Sequence, residues 1–252
     1  MLVLYVLGRN PVHGYNYSAA LLEEAALWND VVALPMNEGR VTTNKTIGGN
    51  GYWGSEAEIG LSRKTYFWLE LALHMFPTVP YLAKGDDDMF LRVPQFLADL
   101  PTLPRRGLYW GLLLTSAAKV RYASGLCVTL ARDVAQHVVS YARLRRAVLR
   151  PEDTADSEYE ALIMLNEDVM MGRAIEWSRY APVVYAREKV CSFHDATEGR
   201  FYRPTTANSV VVHHLRESDY GELMDRFGND TAPAARVFRR GSRCHLHFPC
   251  RR

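Results

Sequence analysis

The sequence predicts an α/β layer structure with a largely parallel sheet. Three observations carry that expectation. Apolar runs of strand length alternate with helical patterns from the first residues onward. One apolar run leads into Asp86-Asp87-Asp88, and in open α/β sheets ligands bind beyond the carboxyl ends of strands. The 252 residues are 48% hydrophobic and 23% charged, the balance of a globular domain that needs no staple for its core.

Taken in order, residues 2–7 form an apolar run closed by Gly8 and read as a strand. Residues 17–27, rich in Ala, Leu and Glu, read as a helix with Ser18 at its N-cap. Residues 31–36 are a second strand. Residues 37–60, full of Gly, Asn and Thr, form a long loop of the kind that is functional or disordered. Residues 61–75 are apolar on all sides, which predicts a buried helix that Pro77 stops. Strands follow at 79–83, 108–114, 126–130, 183–186 and 210–212. Helical patterns cover 93–100, 133–149, 161–177 and 218–227, with an acidic loop at 152–160. A basic, cysteine-containing tail begins after Asp230, so the expected organisation is one domain over residues 1–230 and a tail over 231–252.

Thirty Lys and Arg against 28 Asp and Glu give a net charge of +2 with no basic stripe, which argues against nucleic acid as the main partner. No stretch approaches the ~20 apolar residues that span a bilayer. The opening run is too short for a signal segment and lacks a basic leader, so the chain is either cytosolic or a fragment that has lost a targeting segment. Three triplets are N-glycosylation sequons: Asn16-Tyr17-Ser18, Asn44-Lys45-Thr46 and Asn229-Asp230-Thr231. Of Cys127, Cys191, Cys244 and Cys250, the last two stand close together. A local disulfide, a small metal site and a loose thiol-bearing tail are all open there.

Three clusters carry chemistry. The Asp86-Asp87-Asp88 triplet repels itself unless it is solvated or binds a cation, and hard oxygen ligands suit Mg²⁺ or Mn²⁺. The alternative is a solvated acidic turn that caps the next helix; the apolar strand before it and Met89-Phe90 after it favour a site. Glu167 and Asp168 sit inside an apolar stretch, so they are partnered, catalytic, or on the solvent face of their helix. His213 and His214 close an apolar strand, with His194 the competing metal ligand. The three valines before His213 predict a rigid strand, whereas His194 stands among Asp195, Glu198 and Gly199, which read as a mobile loop.

In this order the segments resemble glycosyltransferase family 31, the β1,3-galactosyl- and N-acetylglucosaminyltransferases, and within it a protozoan phosphoglycan β1,3-galactosyltransferase branch. The segments are Leu4 to Gly8, Leu61 to Thr65, Tyr81 to Phe90, Tyr122 to Gly125, Glu167 to Val169 with Gly172, and Val211 to His213. The resemblance covers residues 2 to about 227. It implies a GT-A fold, Rossmann-like and here N-terminally truncated, and inverting, Mn²⁺-dependent transfer of galactose or N-acetylglucosamine from a UDP-sugar to a glycan hydroxyl in β1,3 linkage. It also implies Asp88 and His213 as metal ligands, with His214 able to substitute, Asp87 near the ribose, Asp86 and Lys84 at the nucleotide, Asp168 as general base and Glu167 beside it. The implied acceptor is a glycan on glycoprotein, glycolipid or phosphoglycan. The implied place is the Golgi or ER lumen, with a membrane anchor this chain lacks.

The chain departs from the family pattern in three ways: the family's earlier strand is absent, only 34 residues separate Asp88 from Tyr122, and residues 37–60 are inserted. A catalytically silent relative that binds glycan or protein is the other reading.

Overall fold

The computed structural model describes residues 1–150, 157–197, 199–241 and 244–250. It is a mixed α/β structure with several sheets and eight α-helices among the described residues. The chain opens with β1 (Tyr5–Arg9), α1 (Ala19–Trp28) and β2 (Val31–Asn37). Ser18 caps α1 as expected, its hydroxyl accepting from Leu21 N at 3.2 Å. β1 and β2 pair in parallel as a sheet of their own. Helix α2 (Ser55–Met75) starts six residues before the predicted boundary. Glu56 and Glu58 favour a helix N-terminus, and Glu58 reaches back to accept from Trp53 N at 3.1 Å. Tyr66, Leu69 and Ala72 of α2 lie in the core, as its apolar pattern predicts.

Then come β3 (Tyr81–Lys84), β4 (Met89–Leu91), α3 (Val93–Asp99), β5 (Leu108–Gly111), β6 (Leu113–Thr115), β7 (Arg121–Ala123) and β8 (Val128–Ala131). The predicted helix at 133–149 is two helices, α4 (Arg132–Ser140) and α5 (Ala142–Leu149), parted at Tyr141 by an extended ψ of 106°. The predicted helix at 161–177 also divides, into α6 (Ser157–Leu162) and α7 (Glu167–Trp177). Ile163 is left-handed, at φ 60°, and Asn166 restarts the helix by accepting from Val169 N. Of the predicted acidic loop at 152–160, residues 152–156 lie outside the described residues. The chain ends with β9 (Val184–Arg187), β10 (Phe193–Asp195), β11 (Val211–His213), α8 (Asp219–Phe227), β12 (Arg239–Arg240) and β13 (His245–His247).

The largest sheet has the order β12-β13-β9-β5-β8-β3 and is mixed, not largely parallel. β5–β9 and β9–β13 are parallel; β5–β8, β8–β3 and β12–β13 are antiparallel. The cause is local. A parallel return needs a long crossover, usually a helix. β5 reaches β8 only through the β6–β7 hairpin, so the chain comes back antiparallel. A second sheet, β10-β11-β4, carries the site. The core centres on Trp110, stacked on Phe96 at 4.7 Å, with Tyr109, Phe193 and Phe248 also buried.

Residues after Asp230 are not a loose tail. β13 enters the large sheet beside β9, and Phe248 is 1% exposed. Arg236 is buried between Asp99 (2.7 Å) and Glu188 (2.7 Å). Cys250 bonds to Cys191 and not to Cys244, whose thiol is free and exposed, so the local disulfide is ruled out. Sequence proximity left a Cys244–Cys250 pair open, but strand β13 between them extends the chain and carries Cys250 to Cys191, just before β10. Residues 242, 243, 251 and 252, part of the predicted tail, lie outside the described residues.

Candidate metal centre and its neighbouring carboxylates

The end of β3 and the β10-β11-β4 sheet bring the predicted residues together. β3 ends at Lys84, and the segment after it delivers Asp86 and Asp88, the latter 8% exposed. β4 pairs antiparallel with β11, setting Met89 opposite His213. The His213 ring therefore lies against the triplet. Its Nε2 is 3.2 Å from Asp88 Oδ1 and 3.3 Å from Asp86 Oδ2. On its other side β10 runs parallel to β11 with Asp195 level with His213, and Nδ1 lies 2.9 Å from Asp195 Oδ1. His214 follows in a left-handed conformation at φ 57°, its ring 4.0 Å from that of His213. Asp88, His213 and His214 each offer one ligand atom, and these atoms all lie within 4.8 Å of one another, close enough to hold a metal ion.

The donor set fits a divalent transition-metal ion: one carboxylate and two imidazoles suit Mn²⁺ or Zn²⁺ better than an all-oxygen Ca²⁺ cage. His214 Nδ1 is buried, makes no hydrogen bond among the described residues and lies 3.5 Å from Asp195 Oδ1. Burial first, then the charge of His213, lowers its pKa, which leaves a neutral imidazole with a lone pair to give. Burial would lower His213 too, but its hydrogen bonds to Asp195, Asp86 and Asp88 prevail and push it up to about 11. Burial raises Asp88, yet His213 and the Gly48 N–H, which donates to Oδ2 at 3.0 Å, bring it below the usual carboxylate range. The charged forms of His213 and Asp88 are thus held in place by their neighbours, while His214 stays neutral.

The second half of the site lies at the N-terminus of α7. Glu167 and Asp168 occupy its first turn, and both point inward, not to solvent. Lys84 joins them: its Nζ contacts Asp86 Oδ1 at 2.5 Å and Glu167 Oε2 at 3.1 Å. Burial opposes that charge, but Asp86, Glu167 and Asp168 hold the lysine pKa well above normal. Asp168 accepts from Gly125 N at 2.7 Å through Oδ2, while Oδ1 is buried without a partner among the described residues. Burial and then the Glu167 charge raise its pKa well above that of an ordinary carboxylate. Gly125 leaves little room for a side chain. A Cβ there would meet Asp86 Oδ2 at 3.1 Å and both Asp168 oxygens at 3.3 Å. Asp86 and Asp168 face each other across the space such a side chain would fill.

The structure thus gathers Lys84, Asp86, Asp88, Glu167, Asp168, His213 and His214. Asp87 is exposed and takes part only through its backbone carbonyl, which accepts from Tyr220 Oη at 3.2 Å. His194 is not in a mobile loop: it is fully buried in β10, its ring nitrogens engaged by Ser209 Oγ (2.8 Å) and Asp195 O (3.1 Å). Parallel pairing with the valine-rich β11, together with the buried Phe193 beside it, makes the segment a strand. Glu198 of that stretch lies outside the described residues. Two contributors were missed. Asp195 orients His213, and only the parallel register of β10 with β11 reveals it. Gly48 binds Asp88 from 40 residues away; the Gly48-Gly49 pair in the long loop was its one sequence signal. No protein-family model matches the chain, and no curated protein matches it significantly.

Proposed function

We propose that the chain is an inverting, metal-dependent glycosyltransferase that moves galactose or N-acetylglucosamine from a UDP-sugar to a glycan hydroxyl. One observation carries the reading: a group able to hold a metal, Asp88 with His213 and His214, stands beside a second carboxylate, Asp168, across Gly125. A divalent cation there supplies charge neutralisation for a diphosphate leaving group. Asp88, His213 and His214 would hold it, and Asp195 keeps the His213 ring turned toward the triplet. Asp168 is placed to take the acceptor's proton. Gly125 fixes one of its oxygens, the other is unengaged, and a raised pKa suits a general base. Glu167 is tied to Lys84 and acts on Asp168 through its charge. The GT-A assignment, the β1,3 linkage and the choice of sugar rest on the resemblance alone. A lumenal setting is supported by the Cys191–Cys250 disulfide, which persists in oxidising compartments, and by the exposure of Asn16, Asn44 and Asn229 in the three sequons. Among the described residues no helix is long and apolar enough to cross a membrane.

The test is UDP binding and a donor screen with Mn²⁺, reading release of free nucleotide. Chelator and Asp88→Asn should each remove metal-dependent UDP binding. Asp168→Asn should leave that binding intact and lower turnover by about 10²–10⁴. UDP binding that is indifferent to chelator would remove the metal from the proposal. Near-normal turnover in Asp168→Asn would move the base elsewhere.

A further inference from the structure

One cleft of about 640 Å³ lies outside the carboxylate site. Strand alternation places it on the opposite face of β11. His213 points to the triplet, whereas Val212 between its neighbours points the other way and forms part of the cleft wall. The volume lies within the range of small-ligand sites. Val212, Leu215 and Leu223 give it an apolar base. Loop residues Gly48 to Asn50 close one side, and the segment after β10, with Thr197 and Tyr202, closes another.

We propose that this cleft binds a neutral, hydroxyl-rich ligand, an oligosaccharide, independently of the metal centre. Three features select that chemistry. Thr197 lines the cleft, and its hydroxyl oxygen is buried with no hydrogen-bond partner among the described residues. A buried polar atom left unpaired is costly, so a ligand hydroxyl there is favoured. Tyr202 is 42% exposed and offers the kind of amphipathic ring, apolar in body and polar at its tip, on which a sugar can lie. The charges nearly cancel. Asp219 serves as a cap, accepting from Arg216 N at 2.8 Å and from Ser218 Oγ at 3.3 Å. That carboxylate keeps its charge, so the lining sets Arg216 against Asp219 and Glu222, one net negative charge, which favours a neutral ligand over an anion. The cleft also shares a wall with the metal centre. Gly48 N binds Asp88 Oδ2, and Leu215 N binds Asp88 O at 2.9 Å.

The experiment is ligand-detected NMR on the full chain in excess chelator, without nucleotide. The probes are lactose, N-acetyllactosamine and maltotriose, with a sulfated and a sialylated lactose as anionic counterparts. At least one neutral probe should bind. Tyr202→Ala and Thr197→Val should each weaken it about tenfold or more, while Asp168→Asn, whose side chain meets Gly125 and not the cleft, should bind it as the wild type does. Absence of binding by every neutral probe, preference for the anionic forms, or loss in Asp168→Asn with retention in both cleft variants would each overturn the proposal. Chelator and the absence of donor keep the result separate from the transferase reading, which stands or falls on Mn²⁺-dependent UDP binding.

Discussion

Asp195 determines how His213 presents its ring. By accepting from Nδ1 it leaves Nε2 toward Asp86 and Asp88, the arrangement in which an outer carboxylate steers a metal-binding imidazole. Asp195→Ala should therefore weaken Mn²⁺ binding about 10- to 100-fold with the circular dichroism unchanged, measured as free Mn²⁺ by electron paramagnetic resonance. Wild-type affinity in this variant would show that the ring is held by packing alone. The same ring makes a pH prediction for the metal-free protein. Its pKa is raised in the fold, to about 11 against about 6.5 in an unfolded chain. Its stabilising contribution is then complete below about pH 6.5 and is lost as pH rises toward 11. In chelator, the difference in melting temperature between wild type and His213→Gln should shrink from pH 6.5 to pH 10. A difference that grows over that range contradicts the charge arrangement. Proton and metal compete for the ring, so apparent metal affinity should rise over the same range.

Elements differ in how firmly they are held. Helix α1 has no buried residue, and its Leu22, Leu27 and Trp28 are 57%, 71% and 67% exposed. Helix α2 places six residues in the interior and packs against β1, β2, β3, α4 and α7. Amide exchange should be fastest in α1 and slowest in α2 and β8, because opening α1 uncovers almost nothing. Protection in α1 equal to that in α2 would mean that its apolar face is covered in solution. These contrasts also explain what was legible in the sequence. Nearly all long elements were readable from periodicity, and α1 even to its cap, because Ser18 is a local signal. The breaks at Tyr141 and Ile163 were not, since each depends on the backbone angle of one residue that carries no Gly or Pro. Short strands β4, β7 and β10 escaped for another reason: three residues carry no period, and pairing alone makes them strands.

At the scale of the whole molecule, the legible part of the site was the part written as motifs: the triplet, Glu167-Asp168 and the late histidines. What escaped was whatever depends on long-range register, namely Asp195, the Gly48 contact and the path of the last twenty residues. Arg236 shows how deep that path goes. It bridges Asp99 and Glu188, while Gln95 binds Asp99 and Trp110 Nε1 binds Glu188. Arg236→Ala would leave two carboxylates buried without their cation, so it should lower the unfolding free energy by about 3–5 kcal/mol in denaturant titration. A cost under about 1 kcal/mol would show that water reaches the pair. The position of that arginine also imposes an order on biosynthesis. When the ribosome has delivered everything up to α8, β9 is still an open edge, Phe248 has not filled its place against Trp110, and Asp99 and Glu188 lack their cation. The nascent chain thus carries every side chain of the candidate metal centre on an unfinished scaffold, and the release of residues 236–250 from the exit tunnel completes it.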